Sequence, residues 1–557
     1  MSNTFGISKT ANALIKLVLL VILFGSFSLI IGIPTNFGAQ TNSIAIESLA
    51  IVQWLPMSVY LTAFFVSGII AAYYVKSSVM NLTLVCLFSS VILGFWMLKS
   101  PLGLYESVSK LANMEVILQT GHLTATEGNY LSWPALFLLG SAFSEVSGIS
   151  LYLFQISFLV AYACILGLTL YALMVRILGS SFYAFVATVS ILVGNLNLTS
   201  YYFHPDLMAV LLVVAIILNQ TIGGGNSIRS LATNMILGVG LVLESFTGAI
   251  IILFFLLFVT ATGSFRRKGS HVGMLVLYGC VLIVWMVFWG AQSASNTISF
   301  ALSSLSNLFA GVSHVHSLYL ANLQEPIWAV VVRLTWIFAL IVLPLFLILK
   351  HILQKSNVDA VTDWLVFASI ATAILSLLNN GTNFFALLLY GPIAGVPIIL
   401  LTLGRKKLAI IFVVFLVAMA VPTFFIDGSR VGGGHVSFQQ YDSAIYLDSF
   451  DGSLTVFNAS PYVALFRPNL PTAGVPILFG GGPQSDITPN QVRQYLIKVY
   501  DDFLQGNGIL QFANSNLENV FHLYGTMIGT QVQAAVHSAC QNHSLIFNTG
   551  QYVICSS

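Results

Sequence analysis

The sequence predicts a polytopic α-helical membrane protein of about thirteen spans, with a small C-terminal α/β or α+β domain outside the membrane. Three observations carry this. Of 557 residues, 57% are hydrophobic. Only 7% are Asp, Glu, Lys or Arg, where a soluble domain carries about a quarter. Apolar runs of spanning length stop at Phe425, and residues 426–557 hold 8 acids and 4 bases. Intrinsic disorder needs the opposite composition. A net charge of +2 gives no basic surface for nucleic acid.

A spanning helix needs about 20 mostly apolar residues. Such runs lie near 17–33, 51–74, 79–98, 151–175, 182–196, 207–222, 230–243, 246–262, 272–290, 327–349, 364–378, 384–403 and 408–425. The first follows Lys9 and Lys16 and ends without a small-residue cleavage pattern, which marks an anchor and not a removed signal. The four runs between 182 and 262 are short, either tight hairpins or shallow helices buried by their neighbours. Loops that stay inside keep Lys and Arg. With the N-terminus inside, 13 of the 16 basic residues of 1–425 fall on inner segments. Lys99 and Lys110 fall outside, and Arg333 falls within a span. The polar domain 426–557 is then external, and the chain is a multi-pass plasma-membrane protein. Glu47, Glu106, Glu115, Glu127, Glu145, Asp206, Glu244 and Glu325 all fall on the outer side. Acids contribute little to topology, so either they are solvated loop residues or several of them share one polar site.

Two outer loops are long, 99–150 and 291–326. Both are apolar for loops, with Trp133, Phe137 and Leu138 in one and Leu302, Leu305, Leu308 and Phe309 in the other. Leucines at such spacing suit amphipathic helices lying on a membrane surface. They either frame a cleft or simply cap the bundle. In the first loop Glu106 follows the third span. Then come an apolar stretch ending in the turn Thr120-Gly121-His122, Tyr130, Pro134 and Gly148-Ile149.

This order resembles the first outer loop of the GT-C superfamily. Those membrane glycosyltransferases include the oligosaccharyltransferase catalytic subunits and the protein O-mannosyltransferases. In that family an acid near the end of a span precedes helices along the membrane surface. Here the acid is Glu106, where the family more often has Asp. If the first two spans are an added pair, the family's second acidic motif matches His204-Pro205-Asp206. The resemblance implies a polyprenyl-phosphate-linked sugar as donor, with a protein, lipid or glycan as acceptor. It also makes a divalent metal, Mg or Mn, an expected partner of the acids.

Transfer from a lipid phosphate needs a base for the acceptor and a counter-charge for the leaving phosphate. Glu106 and Asp206 are the candidates for base or metal ligand. Arg333 lies about six residues, roughly 9 Å, below the outer end of its span. An ionisable group at that depth is a site for a lipid phosphate or an arginine snorkelling outward. His204, Glu244 and Glu325 are accessory candidates, though Glu244 serves equally well as a cap for the helix near Phe246. His314 and His316 alone make a poor metal site. Asn195 and Asn197 are either sugar contacts or ordinary polar residues at a hairpin end.

In the C-terminal domain, 444–447, 454–457, 462–466, 544–547 and 551–555 read as strands, the last two as a terminal hairpin. Thr488-Pro489 opens a helix to about 504, and a second helix covers 516–523. Gly480-Gly481-Gly482 is followed by Pro and not by a Walker lysine. Support or acceptor recognition is the expected role. Cys540 and Cys555 are the two cysteines outside the spans and are a candidate disulfide. Two other readings of the whole chain are a lipid or solute transporter or flippase, and a GT-C relative without catalysis.

Overall fold

The computed structural model describes residues 68–69, 72–73, 81–89, 105–123, 133–194, 203–222, 228–262, 268–291, 335, 384–403, 415, 455–457, 472–473, 508–513, 544–548 and 552–556. From 68 to 403 every regular element among them is helical. The helices are α1 (Tyr105–Thr120), α2 (Ala135–Ser147), α3 (Leu151–Leu178), α4 (Ser181–Gly194), α5 (Pro205–Ile222), α6 (Ile228–Glu244), α7 (Phe246–Thr262), α8 (Lys268–Phe288) and α9 (Phe384–Leu403).

Helices α4 to α7 match the four short runs, and their bounds have local causes. Ser150 opens α3 by accepting a hydrogen bond from the Leu153 N–H at 3.4 Å, which satisfies a donor the helix leaves free. Gly179 closes α3 in the left-handed region at φ 64°, and its N–H reaches the Val175 carbonyl at 2.9 Å. A side chain there would be strained, so glycine makes the stop. The same device at Gly121, φ 67°, ends α1 at the turn expected from the sequence. Pro205 begins α5, where its missing N–H costs nothing.

The hairpin α3–α4 and helices α5 and α6 pack closely around a shared apolar core. Leu166, Leu170, Phe185, Ile191, Val210 and Leu241 are buried in it. Polar contacts fix which helix ends lie together. At one end the Asn219 amide donates to the Ser230 carbonyl at 3.1 Å and to Asn234 Oδ1 at 2.9 Å. At the other end the Phe203 N–H donates to Ser107 Oγ at 2.9 Å, and Ser245 Oγ to Asp206 at 3.0 Å. Consecutive helices therefore alternate in direction.

Helices α1 and α2 lie across this second end. Ser107, Lys110, Leu111, Met114 and Ile117 form the buried stripe of α1, at the three- and four-residue spacing of one helix face. The Ser141 hydroxyl of α2 donates to the Met114 carbonyl at 2.9 Å. Gly140 lets α2 come close, since a Cβ there would stand 2.6 Å from Met114 Sδ and 2.8 Å from Phe154.

Helix α3 is long and apolar enough to cross a membrane. On α8, Val276, Ile283 and Val287 are each more than half exposed, while Met274, Tyr278 and Leu282 of the same helix are buried. Both faces of α8 are thus apolar, and only one meets protein.

In the C-terminal region the strands are β1 (Thr455–Phe457), β2 (Thr472–Ala473), β3 (Gly508–Ala513), β4 (Ser544–Asn548) and β5 (Tyr552–Ser556). Their order is β2-β1-β3-β5-β4. Strand β1 is parallel to β2 and β3, whereas β5 is antiparallel to β3 and β4. The terminal hairpin and the strand near 454–457 agree with the sequence reading. Strands β2 and β3 were not expected. Strand β3 alternates Ile509, Gln511 and Ala513 with Leu510 and Phe512, too weak an alternation to read alone, yet it sits mid-sheet with a partner on each side. The expected strands 444–447 and 462–466, the helices 488–504 and 516–523, and the Cys540–Cys555 pairing lie outside the described residues or side chains.

Candidate functional site

The loop 99–150, the turn before α5 and the turn between α6 and α7 meet at one end of the bundle. Each brings a polar residue. His204 and Asp206 flank Pro205 at the start of α5. The Asp206 N–H donates to His204 Nδ1 at 3.1 Å, and the same nitrogen stands 3.1 Å from Asp206 Oδ2. The neutral ring accepts the N–H with its Nδ1 lone pair, whereas a ring protonated at Nδ1 donates to the carboxylate. His204 is buried, while the Asp206 side chain keeps 29% of its surface open. The open side is where a substrate group can reach it.

Ser245 supplies the other oxygen's partner. Its hydroxyl donates to Asp206 Oδ1 at 3.0 Å and accepts from the Gly248 N–H at 3.3 Å. Ser245, and not Glu244, therefore caps α7, which corrects the capping role considered for Glu244. Lys110 lies on the buried face of α1 and acts electrostatically on Asp206. Burial alone would raise the Asp206 carboxyl. The His204 ring, the Ser245 hydroxyl and Lys110 outweigh burial and hold it below the usual carboxylate range.

Glu244 is the opposite case. It is fully buried at the last position of α6. Neither of its oxygens has a hydrogen-bond partner. Burial, and then the neighbouring Asp206 charge, push its carboxyl well above the ordinary value. The Leu136 N–H at the start of α2 points toward it and works weakly the other way, without closing a hydrogen bond. Both acids sit at helix ends, outside the apolar runs 207–222 and 230–243. Their environments drive them apart: the Asp206 carboxyl is held low and the Glu244 carboxyl is pushed up.

Aromatic rings brace the site. Phe203 meets Phe154 and Phe158 edge to face at 6.0 and 5.3 Å between centroids. Trp133, from the first loop, lies 5.8 Å from Phe246. Deeper in the helices, Gln155 of α3 is fully buried with both amide atoms unpartnered. The hydroxyls of Tyr162 and Tyr278 are also buried without a partner. Each such group costs about 1–3 kcal/mol when nothing meets it.

Of the residues expected from the sequence, Asp206, His204 and Glu244 come together. The backbone of Glu106 lies in the first turn of α1, one residue before Ser107, and its side chain is outside the described part. Arg333, Glu325, His314, His316, Asn195 and Asn197 also fall outside it. Sequence reasoning missed Ser107, Lys110 and Ser245. The signals were present, since Lys110 falls on the apolar stripe of α1 and Ser245 has the N-cap type. Among the described residues no three of His, Cys, Asp and Glu group as metal ligands. Compared with known proteins, the sequence matches no family and no curated relative.

Proposed function

We propose that the chain is a multi-span membrane glycosyltransferase, taking a sugar from a polyprenyl-phosphate donor to an acceptor at the outer face. One observation carries this reading: three segments expected on the outer side converge on a partly open Asp206, its carboxyl held low, at one end of an apolar bundle. The length of α3 and the uncovered apolar face of α8 support a bilayer as the surroundings. The asymmetry between Asp206 and Glu244 supports assigning them different tasks.

In this mechanism the Asp206 carboxylate accepts a hydrogen bond from the acceptor group and aligns it on the sugar. As the acceptor bonds to the anomeric carbon, its proton passes to Asp206 and the bond from that carbon to the phosphate oxygen breaks. A carboxylate held low is a modest base, so it takes the proton late, when the acceptor has become acidic. The lipid phosphate leaves as an anion, and Arg333 is the cation assigned to it, while buried Lys110 adds its charge at a distance beside Asp206. Glu244 has no open surface and does not touch substrate. By staying neutral it spares Asp206 a second negative neighbour. Glu106 remains a candidate to share the acceptor or a Mg or Mn ion with Asp206.

The test is transfer by the full chain in proteoliposomes, with a polyprenyl-phosphate-linked labelled sugar and a membrane acceptor fraction. Asp206→Asn and Glu106→Gln should each abolish transfer in a folded protein, and Arg333→Ala should chiefly raise the donor KM. Unchanged transfer in both acid variants would overturn the mechanism. A second reading, transport of a polar solute, is favoured by the unpartnered polar groups at Gln155, Tyr162 and Tyr278 inside the helices. It requires uptake of unmodified solute into the same vesicles with no covalent product.

A further inference from the structure

We infer that the bundle holds an uncharged, hydroxyl-rich ligand of the sugar class in a polar column running from Asp206 down to Tyr162 and Tyr278. The column follows from helix geometry. At 1.5 Å per residue, Gln155 lies about 6 Å below the start of α3 and Tyr162 about 16 Å below it. Seven residues apart, they share one face of that helix. Tyr390 lies about 9 Å below the start of α9, and Tyr278 about 15 Å below the end of α8. These ends belong with the Asp206 end of the bundle. Phe154 at the top of α3 touches Phe203, and Gln220 at the far end of α5 donates to Met274 near the start of α8. Tyr390 is within electrostatic reach of Asp206, Tyr162 and Tyr278 alike, as its intermediate depth requires.

Helices α3, α8 and α9 therefore place amide and phenol groups at graded depths below the carboxylate, with Tyr390 between the others. Tyr162 and Tyr278 reach about half of a 30 Å hydrocarbon layer. Apolar side chains at these positions would cost nothing, whereas unpartnered polar ones are expensive in an apolar interior. Something that both donates and accepts hydrogen bonds has to meet them. The described groups below Asp206, namely Gln155, Tyr162, Tyr278 and Tyr390, are neutral, so they offer no counter-charge to a phosphate or ammonium lying against them. Amide and phenol together supply donors and acceptors, the complement of a ring of hydroxyls. A free sugar and the sugar of a lipid-linked donor present the same chemistry.

The test uses the full chain in phosphatidylcholine and phosphatidylglycerol nanodiscs. Free glucose and free N-acetylglucosamine are one arm, read by saturation-transfer NMR. Polyprenyl-phosphate-linked glucose, tritium-labelled, is the other, read by equilibrium binding. Binding in either arm should weaken about tenfold in Tyr162→Phe and in Tyr278→Phe, the loss of one good hydrogen bond. Tyr171→Phe is the control, because the Tyr171 hydroxyl is likewise buried without a partner on α3 but lies about 30 Å below its start, beyond the column. Binding confined to the free sugars identifies a soluble ligand, and binding confined to the lipid-linked sugar identifies the donor. If a Phe variant misfolds, maleimide labelling of Tyr162→Cys should be blocked by the sugar that binds. No binding in either arm, or binding indifferent to both tyrosines, leaves only water in the column and overturns the inference. The lipid-linked arm rests on the glycosyltransferase reading and the free-sugar arm does not. Sugar binding without any transfer would sink that reading alone. Transfer with tyrosine-blind binding would sink this inference alone.

Discussion

Glu244 carries the clearest prediction for a single residue. Its folded carboxyl is raised above the unfolded value of about 4.3. Above that pH the unfolded chain releases the proton while the folded chain keeps it. The folded state binds more protons, so stability falls as pH rises from about 4 toward neutrality. Glu244→Gln keeps the shape and removes the proton. The variant should melt at a higher temperature than the wild type at pH 7.5, with the gap closing toward pH 4, in thermal scans of the detergent-solubilised protein. A gap that widens toward pH 4 would show that Glu244 is ionised in the fold. Asp206 has the opposite sign. Its carboxyl is held low, so the stability it contributes is present above about pH 4 and lost as pH falls below that. Asp206→Asn should therefore flatten the acid limb of the same curve.

At the scale of elements, two joints position the site. Ser245 both caps α7 and holds Asp206. Ser245→Ala should cost about 1 kcal/mol in cap energy and also loosen the carboxylate, whereas Ser245→Thr should restore both. Comparing melting with transfer separates the two roles, since Ser245→Gly spares most of the cap but not the Asp206 contact. The second joint is the crossing of α2 over α1. A Cβ at Gly140 would meet Met114 at 2.6 Å and the Phe154 ring at 2.8 Å. Met114 is flexible, but the ring is braced by Phe143 and Phe203. Gly140→Ala should destabilise by about 1–3 kcal/mol. Gly279→Ala on α8, where the nearest atom is 3.8 Å away, should be tolerated in the same melting assay.

For the whole molecule the prediction is topological. The alternation of helix direction agrees with the charge pattern wherever both are visible. Arg176 and Arg229 lie at the end opposite Asp206, near Gly179 and Ser230. If thirteen spans begin inside, reporter fusions after Lys268 and after Lys407 should both read cytoplasmic, and fusions after residue 557 should read external. An external signal at either lysine would change the span count. It would also move residues 426–557 to the other side of the membrane.

The sequence by itself determined the membrane-like composition, the helix bounds between 181 and 262, the turn at Gly121 and the terminal hairpin. These are local matters: apolar run length, a glycine free to take positive φ, a proline at a helix start, alternation within one strand. It also singled out His204, Asp206 and Glu244, because ionisable groups are rare enough in such a chain to be conspicuous. Only the tertiary structure set their surroundings. Whether a carboxyl is an anion or an acid depends on what surrounds it. Asp206 is held by His204 of its own turn and by Ser245 of α7 and feels the charge of Lys110 on α1, while neither oxygen of Glu244 has a hydrogen-bond partner. The same holds for Lys110, which reads as an ordinary loop cation until α1 folds across the bundle and turns its apolar stripe inward. Strand β3 gained its place from neighbours on both sides, and the polar column gained its line from four helices. Long-range packing sets dielectric and partners, and no spacing along the chain encodes either.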